Sequence, residues 1–452
     1  MDSVRKLIYI ANFRMPTEKA HGYQVAKMCE SFAMQSRRSY ADHERGNDAD
    51  KIEVELIIPT RRNEIKAGLF EYYGIERNFK VTQILTPDFI AMSACLPVGR
   101  LFLRKIGFIL QSAFFLIKLL AIKPEADSII YSRNPEIVFL FSRRGYKTVF
   151  ESHRWPQSKI WLHKYFIKKA YRIVTVTQTL KNLYSEGSPT SFRFGDRYVL
   201  VAPDGVDLKI FDVDVSKEVA RTKLNLPQNA VLLGYTGHLQ TMGEEKGFSE
   251  ILDALREILK KRDDVYFVSV GGSGPSADKI LKNGERFSER VRASEPPQRG
   301  LSASETESAS NEILSVPGSS LGAEASLGEH LLIVERVPRA KLALYQKAFD
   351  VLLMPFPKTT HYSYYMSPMK MFEYMASKRP IVASDLPSVR EVLNENNAIL
   401  VEAGNPKSLA EGIEKILNDP ALGQQLAERA YADVQGYTWE KRAQKIINLI
   451  SN

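Results

Sequence analysis

Short apolar runs punctuate the first two hundred residues at Leu7–Ala11, Val54–Pro59, Ser128–Tyr131, Thr148–Ser152 and Ile173–Val176, and helix-like segments lie between them. Runs this short that do not alternate apolar with polar positions suit strands buried on both faces, and strand–helix alternation is the pattern of a helix-covered parallel sheet. A second series begins at Val231, with strands expected at Val231–Tyr235, Val265–Val270, Leu331–Val334, Val351–Pro355, Pro380–Ser384 and Ala398–Val401. Helices are expected between them at Phe248–Lys261, Ala340–Ala348, Pro368–Ala376 and Pro406–Leu417. The pattern predicts an α/β protein of two doubly wound halves, with a boundary near Val206–Val219.

Two stretches break the alternation. Arg37–Lys51 is charged and poor in apolar residues, and Asn283–Glu329 is rich in Ser, Glu, Gly and Pro; both read as insertions, the second too polar to offset the entropy of ordering it. A third stretch, Ile106–Ile122, is apolar apart from Gln111, Ser112 and Lys118, and follows Arg100, Arg104 and Lys105. It falls short of the roughly 20 apolar residues a membrane span needs. A buried helix and a basic helix lying on an anionic membrane face are both open readings.

At 452 residues the chain is long enough for two or three domains, and 44% hydrophobic with 25% charged residues is ordinary for a globular protein. The net charge of +9 suits an anionic partner without choosing one, and also serves general solubility. Two cysteines, Cys29 and Cys95, form no metal or redox motif, which fits a reducing, cytoplasmic setting. The run after Met1–Lys6 is too short for a signal-peptide core and reads as a first strand.

In open parallel sheets ligands sit beyond the carboxyl ends of the strands. After the first strand, Gly22 opens the helix Val25–Phe32, either to let a ligand approach the amides or as a plain helix-start glycine; no GxGxxG is present. After Thr148–Phe150 stand Glu151 and His153; the histidine is either structural or a donor to a sugar hydroxyl, with the acid tuning it. After Val231–Tyr235 come Gly237, His238 and, at the next helix start, Lys246, a cation suited to a diphosphate or simply solvated. Gly271–Pro275, with Gly272 and Gly274, resembles a phosphate turn but lacks the Lys-Ser/Thr ending of a P-loop. The densest segment runs from Met354 through Tyr365 to Ser367-Pro368-Met369-Lys370-Met371-Phe372-Glu373-Tyr374. Serine then proline reads as a helix start with amides at Met369 and Lys370 open to an anion, and Glu373 on the next turn can accept both hydroxyls of a ribose.

Ser367–Ala376 followed by Arg379–Asp385 resembles the carboxyl-domain signature of retaining glycosyltransferases of family 4, which have the GT-B fold. Val201–Asp207, the Gly237–Gly247 loop, Gly271–Pro275 and Tyr437–Glu440 resemble further landmarks of that family in its order. The resemblance implies two Rossmann-like domains facing across a cleft. The first, 1–207, handles the acceptor and is completed by a crossing helix in 437–452; the second, 208–436, holds the donor, with 283–329 inserted. It implies Glu373 on the ribose, Lys246 on the diphosphate and His153 near the transferred sugar as the catalytic set. Gly22, Gly237, His238, Gly272, Gly274, Tyr365, Ser367, Pro368, Met369 and Lys370 are implied as donor contacts.

Two positions depart from the family pattern. Its Glu-x7-Glu pair would place a glutamate where Tyr365 stands, and its usual basic residue before the lysine loop is replaced by His238. Subgroups with a Ser-Pro-x-Lys-x-Phe-Glu-Tyr motif share the first departure, and Lys370 compensates from the same turn.

The resulting expectation is retaining transfer of a hexose from a nucleoside diphosphate sugar to an acceptor hydroxyl, in cell-envelope polysaccharide or glycolipid synthesis. No metal or other cofactor is expected, since Lys246 and helix amino termini neutralise the leaving diphosphate. The partners are the donor, a sugar or lipid-linked acceptor and an anionic membrane surface, with no nucleic acid; the location is cytoplasmic, at the inner face of a membrane if the basic helix docks. The rivals are a GT-B-fold epimerase, for which no acid and base carboxylates are identified, and a degenerate, non-catalytic sugar-nucleotide-binding protein.

Overall fold

A computed structural model of the chain describes residues 6–35, 52–89, 100–185, 194–195, 198–241, 244–271 and 327–451. The chain divides into two compact units. The first comprises Met1–Gly205 with Tyr364–Ser367 and Tyr437–Asn452; the second comprises Val206–Ser363 with Pro368–Gly436.

The first unit is built on a seven-stranded sheet of β1 (Lys6–Ile10), β2 (Glu53–Pro59), β3 (Lys80–Ile84), β4 (Ile129–Ser132), β5 (Lys147–Ser152), β6 (Arg172–Thr175) and β7 (Val199–Val201), in the order β3-β2-β1-β4-β5-β6-β7. Every pairing is parallel. Its central strands β1 and β4 are buried almost throughout, as two-sided covering by helices requires. The apolar pattern does not announce β3 or β7. The first is a half-exposed edge strand carrying Lys80, Thr82 and Gln83, and the second is only three residues long.

Helix Ala20–Ala33 starts earlier than its apolar run and is buried from Gly22 to Ala33. It packs on helix Trp439–Ser451, with the Tyr23 and Trp439 rings 6.3 Å apart. Lys27 and Glu30 are buried within it as an ion pair. Cys29 is a buried thiol in the same helix; Cys95 lies outside the described residues.

The second unit has a six-stranded parallel sheet of β8 (Val231–Thr236), β11 (Val265–Val270), β12 (Leu331–Val334), β13 (Val351–Met354), β14 (Ile381–Ser384) and β15 (Ile399–Val401), in the order β12-β11-β8-β13-β14-β15. A short antiparallel ribbon, β9 (Gln240–Thr241) with β10 (Glu244–Glu245), interrupts the path from β8 to the next helix. The expected strands recur here within a residue or so. Val351–Met354 stops before Pro355 and Ile381 follows Pro380, because proline has no N–H for the ladder. Helices Phe248–Leu259 and Pro406–Asn418 cover the sheet, joining Leu233, Phe267, Leu353 and Val382 in one core. The insertion expected at 283–329 lies outside the described residues up to 326, and Arg37–Lys51 does so entirely.

Candidate active-site residues

In the second sheet the strand order reverses between β8 and β13, and the carboxyl ends of these neighbours define its crevice. The end of β8 is pinned from the Ser-Pro helix, where the Tyr374 hydroxyl accepts from Thr236 N–H at 2.8 Å. Gly237 then turns with φ 105° while its N–H donates to Val270 O at 2.8 Å. At the amino terminus of helix Phe248–Leu259, Gly247 has φ 81°, and a Cβ there would lie 1.6 Å from Pro355 O. Only glycine lets that helix start, and Lys246 with it, sit against the end of β13.

Two lysines converge on this crevice. The Lys370 ammonium is buried 3.5 Å from the Tyr235 ring centroid and 5.6 Å from that of Phe356, with no hydrogen-bond partner. A Cβ on Gly237 would be only 3.8 Å from it. Burial, and then the nearby Lys246, push Lys370 well below the usual lysine range despite the opposing pull of Glu373. Burial pushes Lys246 down to about 8. Burying an ammonium without an anion is costly, so Lys370, with the half-buried Lys246 near it, suits a negative guest. The amides of Met369 and Lys370 add to this, because Met371 N–H already turns back to Pro368 O at 3.0 Å.

Glu373, only 5% exposed, accepts at Oε1 from Arg339 Nη2 at 2.5 Å. Arg339 opens helix Arg339–Ala348 and lies 5.3 Å from the Phe211 ring centroid. His238 is exposed at the end of β8. Gly272 and Gly274 lie outside the described residues.

The expected serine cap is not made. Pro368 is the residue before the helix and no side chain caps it; the Ser367 hydroxyl instead accepts from Asp204 N–H at 2.8 Å. Tyr365 and Ser367 group with the first unit, and Thr177 Oγ1 donates to Tyr364 O at 2.8 Å there. The boundary between units thus falls within the motif, between Ser367 and Pro368.

In the first unit the order reverses between β1 and β4, and a polar network gathers beyond these strands. Glu151, at the end of β5, is fully buried and accepts at one oxygen, Oε1, from Arg133 Nη2 and Arg442 Nη2, both at 2.9 Å. The same oxygen lies 2.5 Å from His153 Nε2. Burial alone would raise the Glu151 pKa, but the two arginines and His153 hold it well below the usual carboxylate range. Arg133 also donates to Gln24 Oε1 at 2.9 Å, and Gln24 in turn bonds Asp204. Burial, and then Arg133, lower the pKa of His153 against the pull of Glu151. A neutral His153 that donates Nε2–H to Glu151 presents Nδ1 as an acceptor.

Gly22 has a packing reason of its own. A Cβ there would meet the Tyr73 hydroxyl at 2.1 Å, a group that accepts from Thr17 N–H at 2.8 Å and donates to Thr17 O at 3.0 Å. Sequence reasoning did not single out Gln24, Arg133, Arg339 or Arg442, and it included Asp204 only within the Val201–Asp207 landmark. They are scattered along the chain, so only the fold joins them. Among the described residues no group of three His, Cys, Asp or Glu is placed to hold a metal ion.

Residues 314–419 match the family model described as Glycosyl transferases group 1. Curated relatives include a D-inositol 3-phosphate glycosyltransferase of Corynebacterium urealyticum, 22% identical over 66% of this chain and 60% of the relative. Another is an alpha-D-kanosaminyltransferase of Streptomyces kanamyceticus, 22% identical over 63% of this chain and 60% of the relative. The chain spans about half to three fifths of the length of such relatives. Among solved structures, sucrose-phosphate synthase from Thermosynechococcus elongatus matches with a TM-score of 0.63 at 16% identity, over 99% of this chain and 98% of that one. Anabaena Alr3699/HepE in complex with UDP and glucose matches with a TM-score of 0.60 at 14% identity, over 99% of this chain and 100% of that one. The fold is therefore α/β of the GT-B kind, and within it residues 314–419 are similar to the glycosyl transferases group 1.

Proposed function

We propose that this chain is a retaining glycosyltransferase that moves a hexose from a nucleoside diphosphate sugar to an acceptor hydroxyl. The observation that carries the reading is the pair Lys246 and Lys370 at the switch point of the carboxyl-terminal sheet, Lys246 half-buried and the Lys370 ammonium buried with no hydrogen-bond partner. A diphosphate supplies the missing charge, and Glu373, steadied by Arg339, supplies a carboxylate for ribose hydroxyls. Two structural neighbours, Anabaena Alr3699/HepE and an E. coli trehalose-6-phosphate protein, are in complex with UDP-glucose and UDP-2-fluoro glucose, which supports a nucleotide-sugar guest here too.

In the proposed reaction the bond between the sugar anomeric carbon and the diphosphate oxygen breaks. A bond from the acceptor oxygen forms on the same face, and the acceptor proton passes to the departing diphosphate. Lys246, Lys370 and the helix amides stabilise the charge that develops on that leaving group. His153, neutral and held by Glu151, offers Nδ1 as an acceptor to a sugar hydroxyl. No metal is required in this scheme. The acceptor is a sugar or lipid-linked glycan at the inner face of a membrane, in the synthesis of envelope polysaccharide or glycolipid.

A thermal-shift screen across UDP, GDP and ADP sugars identifies the donor, and mass spectrometry of donor with acceptor mixtures identifies the product. Glu373→Ala and Lys246→Ala are expected to abolish turnover; full activity in both variants sinks the proposal.

A further inference from the structure

Helix Arg100–Leu120 lies on one face of the amino-terminal sheet. Phe115 and Leu119 on its inner side join Ile8, Ile10, Ile57 and Ile130 in a core. A helix covering a sheet should turn polar residues outward. Here the outer side stays apolar, with Phe108 56%, Ile109 64%, Ile117 59% and Leu120 53% exposed, and residues 106–120 carry a single charge, Lys118. From Ile106 onward the helix is apolar on its outer side as well as on the side that the protein buries.

The same face continues across the next two crossover helices. Helix Pro135–Arg143 packs beside both helix Arg100–Leu120 and helix Ile160–Ile167, and the Phe139 ring lies 5.3 Å from those of Tyr165 and Phe166. On helix Ile160–Ile167, Trp161 is 72% exposed. The bordering charge has one sign. Residues 100–123 contain five Lys and Arg and no acid, and residues 154–172 contain six and no acid. Lys168 lies 4.3 Å from the Tyr165 ring centroid, a cation set against the aromatic rim of the patch.

We propose that the outer sides of helices Arg100–Leu120 and Ile160–Ile167 form one docking surface for an anionic lipid bilayer. Apolar side chains enter the headgroup boundary, Trp161 sits at the interface, and the lysines and arginines meet lipid phosphates. No helix among the described residues is long and apolar enough to cross a membrane, so the chain lies on the surface. A second copy is the poorer occupant: pairing this face with itself sets against each other two segments, 100–123 and 154–172, that hold eleven Lys and Arg and no acid. The proposal deepens the reading of a membrane-borne acceptor and rests on it for the identity of that acceptor alone.

The test is co-sedimentation of the full chain with vesicles of equal parts phosphatidylglycerol and phosphatidylcholine, against phosphatidylcholine alone, with tryptophan emission recorded in parallel. Binding to the anionic vesicles, weakened by salt, with a blue shift that Trp161→Ser abolishes, is the expected result. Trp161→Ser and Ile109→Ser, both at exposed positions, should each lower the partition coefficient by about tenfold and leave the melting temperature unchanged. Three results overturn the proposal: absence of vesicle binding, undiminished binding by both variants, or a dimer in light scattering that these substitutions dissociate. Nucleoside diphosphate stabilisation measured without vesicles reports separately on the donor site, so the two proposals can fail independently.

Discussion

Glu151 Oε1 accepts from Arg442 Nη2 at 2.9 Å, joining the end of β5 to the carboxyl-terminal helix across 291 residues. Arg442 also donates through Nε to Pro203 O at 2.9 Å, so one side chain fastens three parts of the unit. Truncating it leaves Glu151 with less positive charge in a buried place. Arg442→Met should cost about 3 kcal/mol in urea unfolding, and Glu151→Gln at least as much, because two arginines then lose their carboxylate. The Glu151 contribution has a definite pH dependence. Its folded pKa lies below the ordinary 4.5, so the stabilisation is complete above that value and is lost as pH falls through the folded pKa. An R442M protein as stable as the parent would show that the network contributes only order.

Lys246 should make nucleotide binding depend on pH on the alkaline side. With its pKa lowered to about 8, it is charged below that pH and neutral above, and the diphosphate binds the charged form. Calorimetric Kd for the stabilising nucleoside diphosphate is expected to be flat up to pH 8 and then to weaken, by at most ~tenfold per pH unit. Lys246→Met should bind weakly and without that inflection. For the empty protein the sign is opposite: between about 8 and the ordinary 10.5 the folded state holds fewer protons than the unfolded one, so stability rises with pH. An inflection that persists in the Lys246→Met protein assigns it to another group.

The apolar pattern was enough to locate β1, β2, β8 and β11, because strands buried on both faces are nearly continuous runs, and β12, an edge strand that is apolar throughout. It missed β3, whose edge position lets Lys80 and Gln83 stay wet. In the candidate site, Lys246, Lys370 and Glu373 were legible since each stands at a strand end or helix start. Arg339 was not legible, because its partner Glu373 is 34 residues away and neither periodicity nor a turn connects them. Ser367 shows a local rule losing to a tertiary one: a hydroxyl placed to cap its own helix bonds the distant Asp204 N–H instead.

Lys370 should show stability and binding moving in opposite directions. Its buried ammonium has no hydrogen-bond partner and carries a desolvation penalty that only a bound anion relieves. Lys370→Met fills the same volume beside Tyr235 and Phe356 without the charge. It should raise the stability of the empty protein by roughly 1–2 kcal/mol while weakening nucleoside diphosphate binding by at least about tenfold. A variant that is destabilised and binds normally would make Lys370 a structural residue.

Gly247 and Gly404 separate backbone strain from steric contact. Both have positive φ, 81° and 76°, so alanine at either pays the left-handed penalty. At Gly404 a Cβ meets nothing within 4 Å, whereas at Gly247 it would lie 1.6 Å from Pro355 O, a backbone atom that cannot move without shifting the end of β13. Gly404→Ala should cost about 1 kcal/mol and leave nucleotide affinity alone. Gly247→Ala should cost about 2 kcal/mol more than that and weaken the nucleotide, because Lys246 and the helix start retreat together from the crevice. Equal melting temperatures for the two variants would remove the argument that this glycine exists to bring the lysine loop against β13.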